Sequence, residues 1–353
     1  MKRITLRDIA AIANVSHFTV SLALRNHPKI PKETRERIQQ IAKHMGYRPD
    51  PALSALLVYR RNAKPSAYQG TIAWINNHHD PEWLLQRAVY REYFIGARER
   101  AEEIGYKLEE FRLSELGMSF ERLSKILKAR SIQGLLFAPQ ERQKTHISRH
   151  IFDWDYFSSV AFGFTLKAPQ LHLITNAQFS STRLAVRKLR SLGYRRIGCV
   201  TNQKFEQRTD SNFLAGFIIE QRRFPESDQI PIISAPVKGD FDGEFRKWRD
   251  LYVPDAILDF TGYLLTLPAF APSERKGCAL ALGSVAEDGS VGGVGEFAGI
   301  YQNDRIIGRA AIDTVVSMIN INERGIPSVP RRILINGRWM DGPSAPRITR
   351  QTE

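Results

Sequence analysis

Cysteine is nearly missing: the 353 residues hold two, Cys199 and Cys278, each alone among apolar neighbours. Such a pair builds no disulfide framework and no cysteine-rich metal site, and it fits a reducing, cytoplasmic setting. No apolar run approaches the roughly 20 residues of a membrane helix, so no membrane partner is expected. The basic start Met1-Lys2-Arg3 meets Asp8 before any apolar signal region, which argues against export. Acids are also short, 37 against 51 Lys and Arg, for a formal net charge of +14. What is there is ordinary globular composition, 42% hydrophobic and 25% charged, in a chain long enough for two or three packed units of roughly 100–200 residues.

The excess charge sits at one end. Residues 1–64 carry 13 Lys and Arg against four acids, a net of +9, which leaves +5 for the other 289 residues. A small basic head on a nearly balanced body implies a polyanionic partner met by that head, and nucleic acid is the commonest.

The head reads as three short helices. Thr5 and Asp8 have the spacing of a capping box ahead of Ile9, Ala10 and Ala13, which share one helical face. A break near Asn14-Val15 follows, and Ser16 is placed to cap a second helix from His17 to Leu24. The third shows Ile38, Ile41, Ala42 and Met45 at i, i+3, i+4, i+7, with Gly46 just past its end. Two helices joined by about three residues form helix-turn-helix geometry, in which the second helix enters the major groove of duplex DNA.

The string Thr5-Leu6-Arg7-Asp8-Ile9-Ala10, then Asn14-Val15-Ser16-His17-Phe18-Thr19-Val20-Ser21, Thr34-Arg35-Glu36-Arg37-Ile38 and Gly46-Tyr47-Arg48-Pro49 resembles the head of lactose-repressor (LacI/GalR) type transcription regulators, in order and over about sixty residues. The resemblance implies base reading by His17, Phe18 and Leu22, and phosphate contacts from Thr5, Ser16, Thr19, Ser21 and Thr34. Leu22 stands where the family usually has Arg, which removes a guanine-reading fork and leaves apolar contact with a thymine methyl. Core packing within the head is the competing role for Phe18 and Leu22. Asp50 and Pro51 open a helix of one or two turns, Ala52 to Leu57, too short to be stable alone. The resemblance makes it a hinge helix that pairs across a dimer in the minor groove, with Leu56 as the wedge between base steps. Burial of its leucines against the body is the competing role. A joint at 59–66 follows.

From Gly70 onward strand-like segments alternate with helical ones: 71–75, 107–111, 134–137, 160–162 and 171–175, then 197–200, 232–235, 256–259, 279–282 and 298–300. That alternation predicts two parallel, doubly wound units. A late helix with Ile307, Ala311, Val315 and Met318 resembles the family's return crossing into the first lobe, and Ile333-Leu334-Ile335 with Trp339 are expected to close the second. The expected architecture is thus an all-α helix-turn-helix head, residues 1–48; a hinge and linker, 49–66; an α/β two-lobed body like a periplasmic binding protein, 67–345; and a tail, 346–353. The first lobe is expected to take about 67–175 and 301–328, the second about 176–300 and 329–345.

Ligands of such sheets bind at the carboxyl ends of the strands. The candidates there are Asn76, Asn77, Gln140, Asn202, Asp259, Tyr301 and Gln302, with Arg208 as the polar anchor because its guanidinium offers several fixed donors. Asp259-Phe260-Thr261-Gly262, and Phe213 ahead of Gly216, depart from the family's usual sugar pocket, so the effector is left as a small molecule, a sugar among the candidates.

Enzyme chemistry finds no support. Gly293-Val294-Gly295-Glu296-Phe297-Ala298 matches G-x-G-x-x-A, but a strand-like segment follows where a dinucleotide loop needs a helix. His146 with His150, and His78-His79-Asp80, lack a third metal ligand in the sequence, and Asp240, Asp242 and Glu244 read as a polar turn. No cofactor is expected. The whole reads as a dimeric, sequence-specific DNA-binding regulator, a repressor in the family's sense, working on a near-palindromic duplex operator. The rival is a small-molecule (sugar) binding protein or sugar-processing enzyme without specific DNA recognition.

Overall fold

The computed structural model describes residues 4–24, 30–47, 68–80, 82–141, 145–236, 239–275 and 277–348. The expected hinge helix with Leu56, and the joint after it, lie outside the described residues.

The head is built from α1 (Leu6–Ala13), α2 (His17–Leu24) and α3 (Lys32–His44). Asp8 Oδ2 accepts from the Thr5 main-chain N–H at 2.7 Å while Asp8 N–H donates to Thr5 Oγ1 at 3.4 Å, so the capping box forms as expected. Asn14 ends α1 in the left-handed region, φ 52°, a conformation an Asn side chain tolerates. The core is small: Ile9, Ala13, Val20, Ala23, Ile38 and Ala42, with Tyr47 and Met45 closing one side.

The body begins with β1 (Gly70–Asn76), α4 (Trp83–Gln86), α5 (Ala88–Glu103), β2 (Tyr106–Arg112), α6 (Phe120–Ala129), β3 (Gly134–Phe137), β4 (Thr145–His146), β5 (Ser158–Phe162), β6 (Leu166–Ala168) and β7 (His172–Asn176). It continues through α7 (Gln178–Ser191), β8 (Ile197–Asn202), α8 (Gln203–Arg208), α9 (Asn212–Gln221), β9 (Ile233–Ala235), α10 (Phe241–Tyr252), β10 (Ala256–Asp259), β11 (Ala279–Val285), β12 (Ala298–Tyr301), α11 (Asp304–Ile321), β13 (Arg332–Ile335) and β14 (Arg338–Met340). The first sheet runs β13-β7-β5-β3-β1-β2, and every pair is parallel. The second runs β14-β12-β11-β10-β8-β9, with β14 alone antiparallel. β4 and β6 form a separate two-stranded ribbon. β3, β5, β7 and β10 are buried along their length, as parallel strands covered on both faces are.

One expectation is corrected. Ile333-Leu334-Ile335 lies in β13, paired with Ile174, Thr175 and Asn176 of β7 in the first sheet, and only the segment around Trp339 joins the second. The strand expected to close one lobe is split, with Asn336 and Gly337 carrying the chain between sheets. Nor is the carboxyl-terminal segment a free tail throughout: the Ile348 N–H donates to the Leu192 carbonyl at 2.8 Å, on the second lobe.

Three passages join the lobes: β7 to α7, β12 to α11, and β13 to β14. The middle one returns the chain to the first lobe, where α11 crosses α5 in backbone contact. A Cβ on Gly308 would lie 2.0 Å from the Tyr93 carbonyl oxygen, and one on Gly96 2.0 Å from that of Arg305. Glycine at both positions is what allows the two helices to touch. Ile307, Ala311, Ile312, Val315 and Met318 of α11 then pack under Trp74, Leu136 and Val160.

Candidate nucleic-acid interface and interlobe cleft

The second helix of the head is apolar nearly all round, His-Phe-Thr-Val-Ser-Leu-Ala-Leu, yet it buries only Val20 and Ala23. Phe18 is 65% exposed and His17 is exposed beside it. Leu22 is half-buried and, like Phe18, is absent from the packed core. Among the described residues, core packing therefore accounts for neither side chain. The Phe18 ring, beside His17 and one turn before the half-buried Leu22, is left free to meet a partner beyond the chain.

Three of the five residues expected to contact phosphates are tied locally, Thr5 to Asp8 and Ser16 to Thr19. The Thr5 hydroxyl donates to Asp8 Oδ2 at 2.7 Å, so its proton is engaged in the cap. Ser16 Oγ accepts the Thr19 N–H at 3.0 Å and lies 2.8 Å from Thr19 Oγ1. Ser21 is half-buried on the same helix, and Thr34 is half-buried in the first turn of α3.

In the body, four of the expected cleft residues are held by hydrogen bonds within their own lobes. Asn76 is buried and donates to Glu110 Oε1 at 2.8 Å. Asn202 caps α8 through the Phe205 N–H at 2.8 Å. Asp259, buried at the end of β10, accepts from Thr261 N–H, Thr261 Oγ1, Gly262 N–H and Leu264 N–H, all within 3.0 Å. Gln302 donates to the Gly283 carbonyl and accepts from Ser181 Oγ at 3.2 Å. Tyr301 is half-buried beneath the Arg338 guanidinium, 5.1 Å from its ring centre.

Of the remaining three, Asn77 and Gln140 pair within the first lobe, where the Gln140 amide also donates to the Ala138 carbonyl at 2.6 Å, and Arg208 reaches them from the second. Asn77 donates to Gln140 Oε1 at 3.2 Å, and Arg208 Nη1 donates to the main-chain oxygens of Gln140 at 2.9 Å and Glu141 at 3.1 Å. Arg208 Nη2 donates to the Tyr90 hydroxyl at 3.2 Å, and its guanidinium lies 5.8 Å from the Trp83 ring centre. Around this bridge sits an aromatic wall that the sequence reading missed. His78 stacks on Trp83 at 4.5 Å, Arg87 covers Trp83 at 4.2 Å, and Tyr90 follows at 5.7 Å. Burial holds the His78 imidazole below its ordinary range, although its hydrogen bond to the Pro139 carbonyl at 2.7 Å pulls the other way. The signal for this wall was the spacing of His78, Trp83 and Tyr90 just after β1, where a ligand-facing loop belongs.

Asp304, first residue of α11, was also missed. It is 4% exposed, its Oδ1 finds no hydrogen-bond partner, and burial, helped by the Glu92 charge, pushes its carboxyl up to about 8. Among the described residues no three His, Cys, Asp or Glu side chains gather as a metal site, and no helix is long and apolar enough to cross a membrane.

Residues 5–50 match the model of the lacI family of bacterial regulatory proteins. The chain carries a lacI-family head. This head is similar to those of a probable HTH-type transcriptional repressor, ExuR, of Bacillus subtilis (47% identical over 47 residues, 13% of this chain and 14% of that protein) and of the regulator IdnR of Escherichia coli K12 (46% over 55 residues, 16% and 17%). These matches span about a seventh of the curated relatives' length, so they speak for the lacI-type head alone. For the rest of the chain the likeness is one of fold. A transcriptional regulator CelR–cellobiose complex superposes with a TM-score of 0.55 at 19% identity, over 97% of this chain and 100% of that one. A lac repressor dimer bound to operator and anti-inducer gives 0.54 at 16%, over 98% and 100%. The helix-turn-helix head and two-lobed α/β body are thus the lac repressor fold.

Proposed function

We propose that the protein is a sequence-specific, DNA-binding transcription regulator of the repressor type, working in the cytoplasm as a homodimer whose body senses a small molecule. The observation that carries this is the uncovered pair His17 and Phe18 at the start of the second helix of a lacI-family head. Side chains there face base edges when such a helix lies in the major groove, and nothing described in the head covers them. Ser16, Thr19, Ser21 and Thr34 supply polar groups around that helix for phosphates, Thr5 joins them once its hydroxyl leaves Asp8, and Leu22 supplies apolar contact to a thymine methyl. Two heads related by a two-fold axis read a near-palindromic operator. The wedging role of Leu56 rests on the resemblance of its segment to the family's hinge.

The interlobe cleft is the sensor. Arg208 and Asn77 stand at its mouth, whereas the buried Gln140, with Asn76, Asn202, Asp259 and Gln302, shapes its loops from behind. A ligand that prefers one lobe arrangement by about 1–3 kcal/mol shifts operator affinity by the same factor, and operator shifts ligand affinity equally.

The test is selection of bound duplexes from a random-site library by the full-length protein. A near-palindromic consensus is the expected result. Sequence-blind binding that vanishes with modest salt would leave a two-lobed binding protein with a basic appendage.

A further inference from the structure

Two aspartates of the body are almost wholly buried, and they are treated oppositely. Asp259 accepts four hydrogen bonds. Asp304 Oδ1 has none, and among the six buried side-chain atoms so left in the described residues it shares that state with one other carboxylate oxygen, Oε2 of Glu206, whose other oxygen is held by Thr201. A buried acceptor left unmade is costly and is uncommon in folded proteins unless something outside the chain completes it. Where Asp304 lies says what that something meets. α11 runs back along the first sheet to feed β13, which is parallel to β7, so its amino end stands at the carboxyl edge of that sheet. α5, which follows β1, starts at the same edge. Both helices open on the cleft.

The neighbours of Asp304 are rings and a further acid. Tyr93 lies beside it on α5, stacked on Phe162 at 5.3 Å and edge-on to Tyr90 at 6.0 Å. Burial and the Asp304 carboxyl both push the Tyr93 phenol up. Glu92 adds negative charge from α5, and Tyr301 on β12, whose phenol burial already raises, is near enough for the Asp304 charge to push it further up. The nearby cation, Arg305, is spent on Glu92 at 2.9 Å and Glu99 at 3.5 Å. A hydroxyl would need only one acceptor; an acid set among two phenols and a second carboxylate, with no free cation beside it among the described residues, suits a cation as its partner.

We infer that the cleft is built for a small molecule bearing a protonated amine, its nitrogen seated against Asp304 and Tyr93 at the back and its acceptor groups met by Arg208 at the mouth. This rests on the cleft being the sensor site. A cation binding there needs Asp304 ionised, so at neutral pH a proton leaves as the ligand enters.

The experiment uses full-length protein and a matched panel: hexosamines, arginine and lysine as amines, the parent neutral hexoses, and the corresponding uronates. Thermal denaturation ranks them, and calorimetry in two buffers of different ionisation heat counts protons. Stabilisation by amine-bearing compounds, release of up to one proton at pH 7, and at least a tenfold weaker affinity in Asp304→Asn are expected. Asp304→Asn itself should melt close to the parent at pH 7, since the buried carboxyl, with its pKa pushed up to about 8, is already largely neutral there and the amide has nearly its shape. Stabilisation by a neutral hexose or a uronate alone, or full amine affinity in Asp304→Asn, overturns the amine assignment and leaves the sensor intact. A panel with no stabiliser overturns both, while the operator selection reports separately on the head.

Discussion

Arg208 of the second lobe donates from Nη1 to the main-chain oxygen of Gln140 in the first, at 2.9 Å. The bond spans the cleft, and with the contacts to Glu141 and Tyr90 it fastens the lobes in a closed arrangement. A charged donor on a carbonyl contributes more than a neutral one, but Arg208 is half-exposed, so about 1 kcal/mol is its share. Arg208→Ala is expected to lower the melting temperature by a few degrees, to enlarge the radius of gyration seen by small-angle scattering, and to weaken effector binding. An unchanged scattering curve would show that other contacts close the cleft.

Phe18→Ala should separate reading from folding. The ring contributes nothing to the head core, so helix content and melting should shift by no more than about 0.5 kcal/mol. Affinity for the selected operator should fall at least tenfold, while weak, salt-sensitive binding to random duplex stays. Equal affinity for operator in gel-shift titrations would remove Phe18 from the readers.

Gly308→Ala tests the helix crossing. The added methyl would lie 2.0 Å from the Tyr93 oxygen and 2.7 Å from the Ala97 nitrogen, both main chain. Neither can yield without moving α5, and overpacking of this kind costs about 1–3 kcal/mol. Urea denaturation should report that loss, and because Tyr93 and Asp304 move with the helices, ligand affinity should drop as well.

Glu220 carries a pH prediction. Its buried carboxylate accepts from Arg183 Nε at 2.7 Å and Arg187 Nε at 3.1 Å, with Arg223 at 3.9 Å. Burial alone would raise its pKa, but the arginines override this and hold it below the ordinary carboxylate range. A depressed folded-state pKa stabilises above the unfolded value of roughly 4.3, and that contribution is lost as pH falls through the folded one. Denaturation of Glu220→Gln should therefore show a shallower acid limb below about pH 4.3 than the parent.

Local chemistry made the head legible. A Thr5–Asp8 box, an Asn break, a Ser cap and a terminal glycine each act within a few residues, and the three helices stand where those signals set them. The alternating body was legible because buried parallel strands are short apolar runs. Which sheet a strand joins is decided by partners far along the chain, and Ile333-Leu334-Ile335 has no local mark that ties it to His172–Asn176. The site was harder still. Asn76, Asp259 and Gln302 hold the loop ends that ligand-binding positions occupy, yet their polar atoms are consumed within their lobes. Asp304, by contrast, looks like any acid placed favourably in a first helical turn; only burial sets it apart.

The return of the chain through α11 means that neither lobe is a contiguous stretch of sequence. The first borrows a core helix and an edge strand from beyond residue 300, and the second takes β14 from later still. A product truncated shortly after β12 would hold every residue of the head and yet lack the helix that seals its own first lobe, leaving Trp74 and Val160 open to water. A fragment with so much core surface uncovered is open to proteolysis, so a free head on an unsealed body should not accumulate.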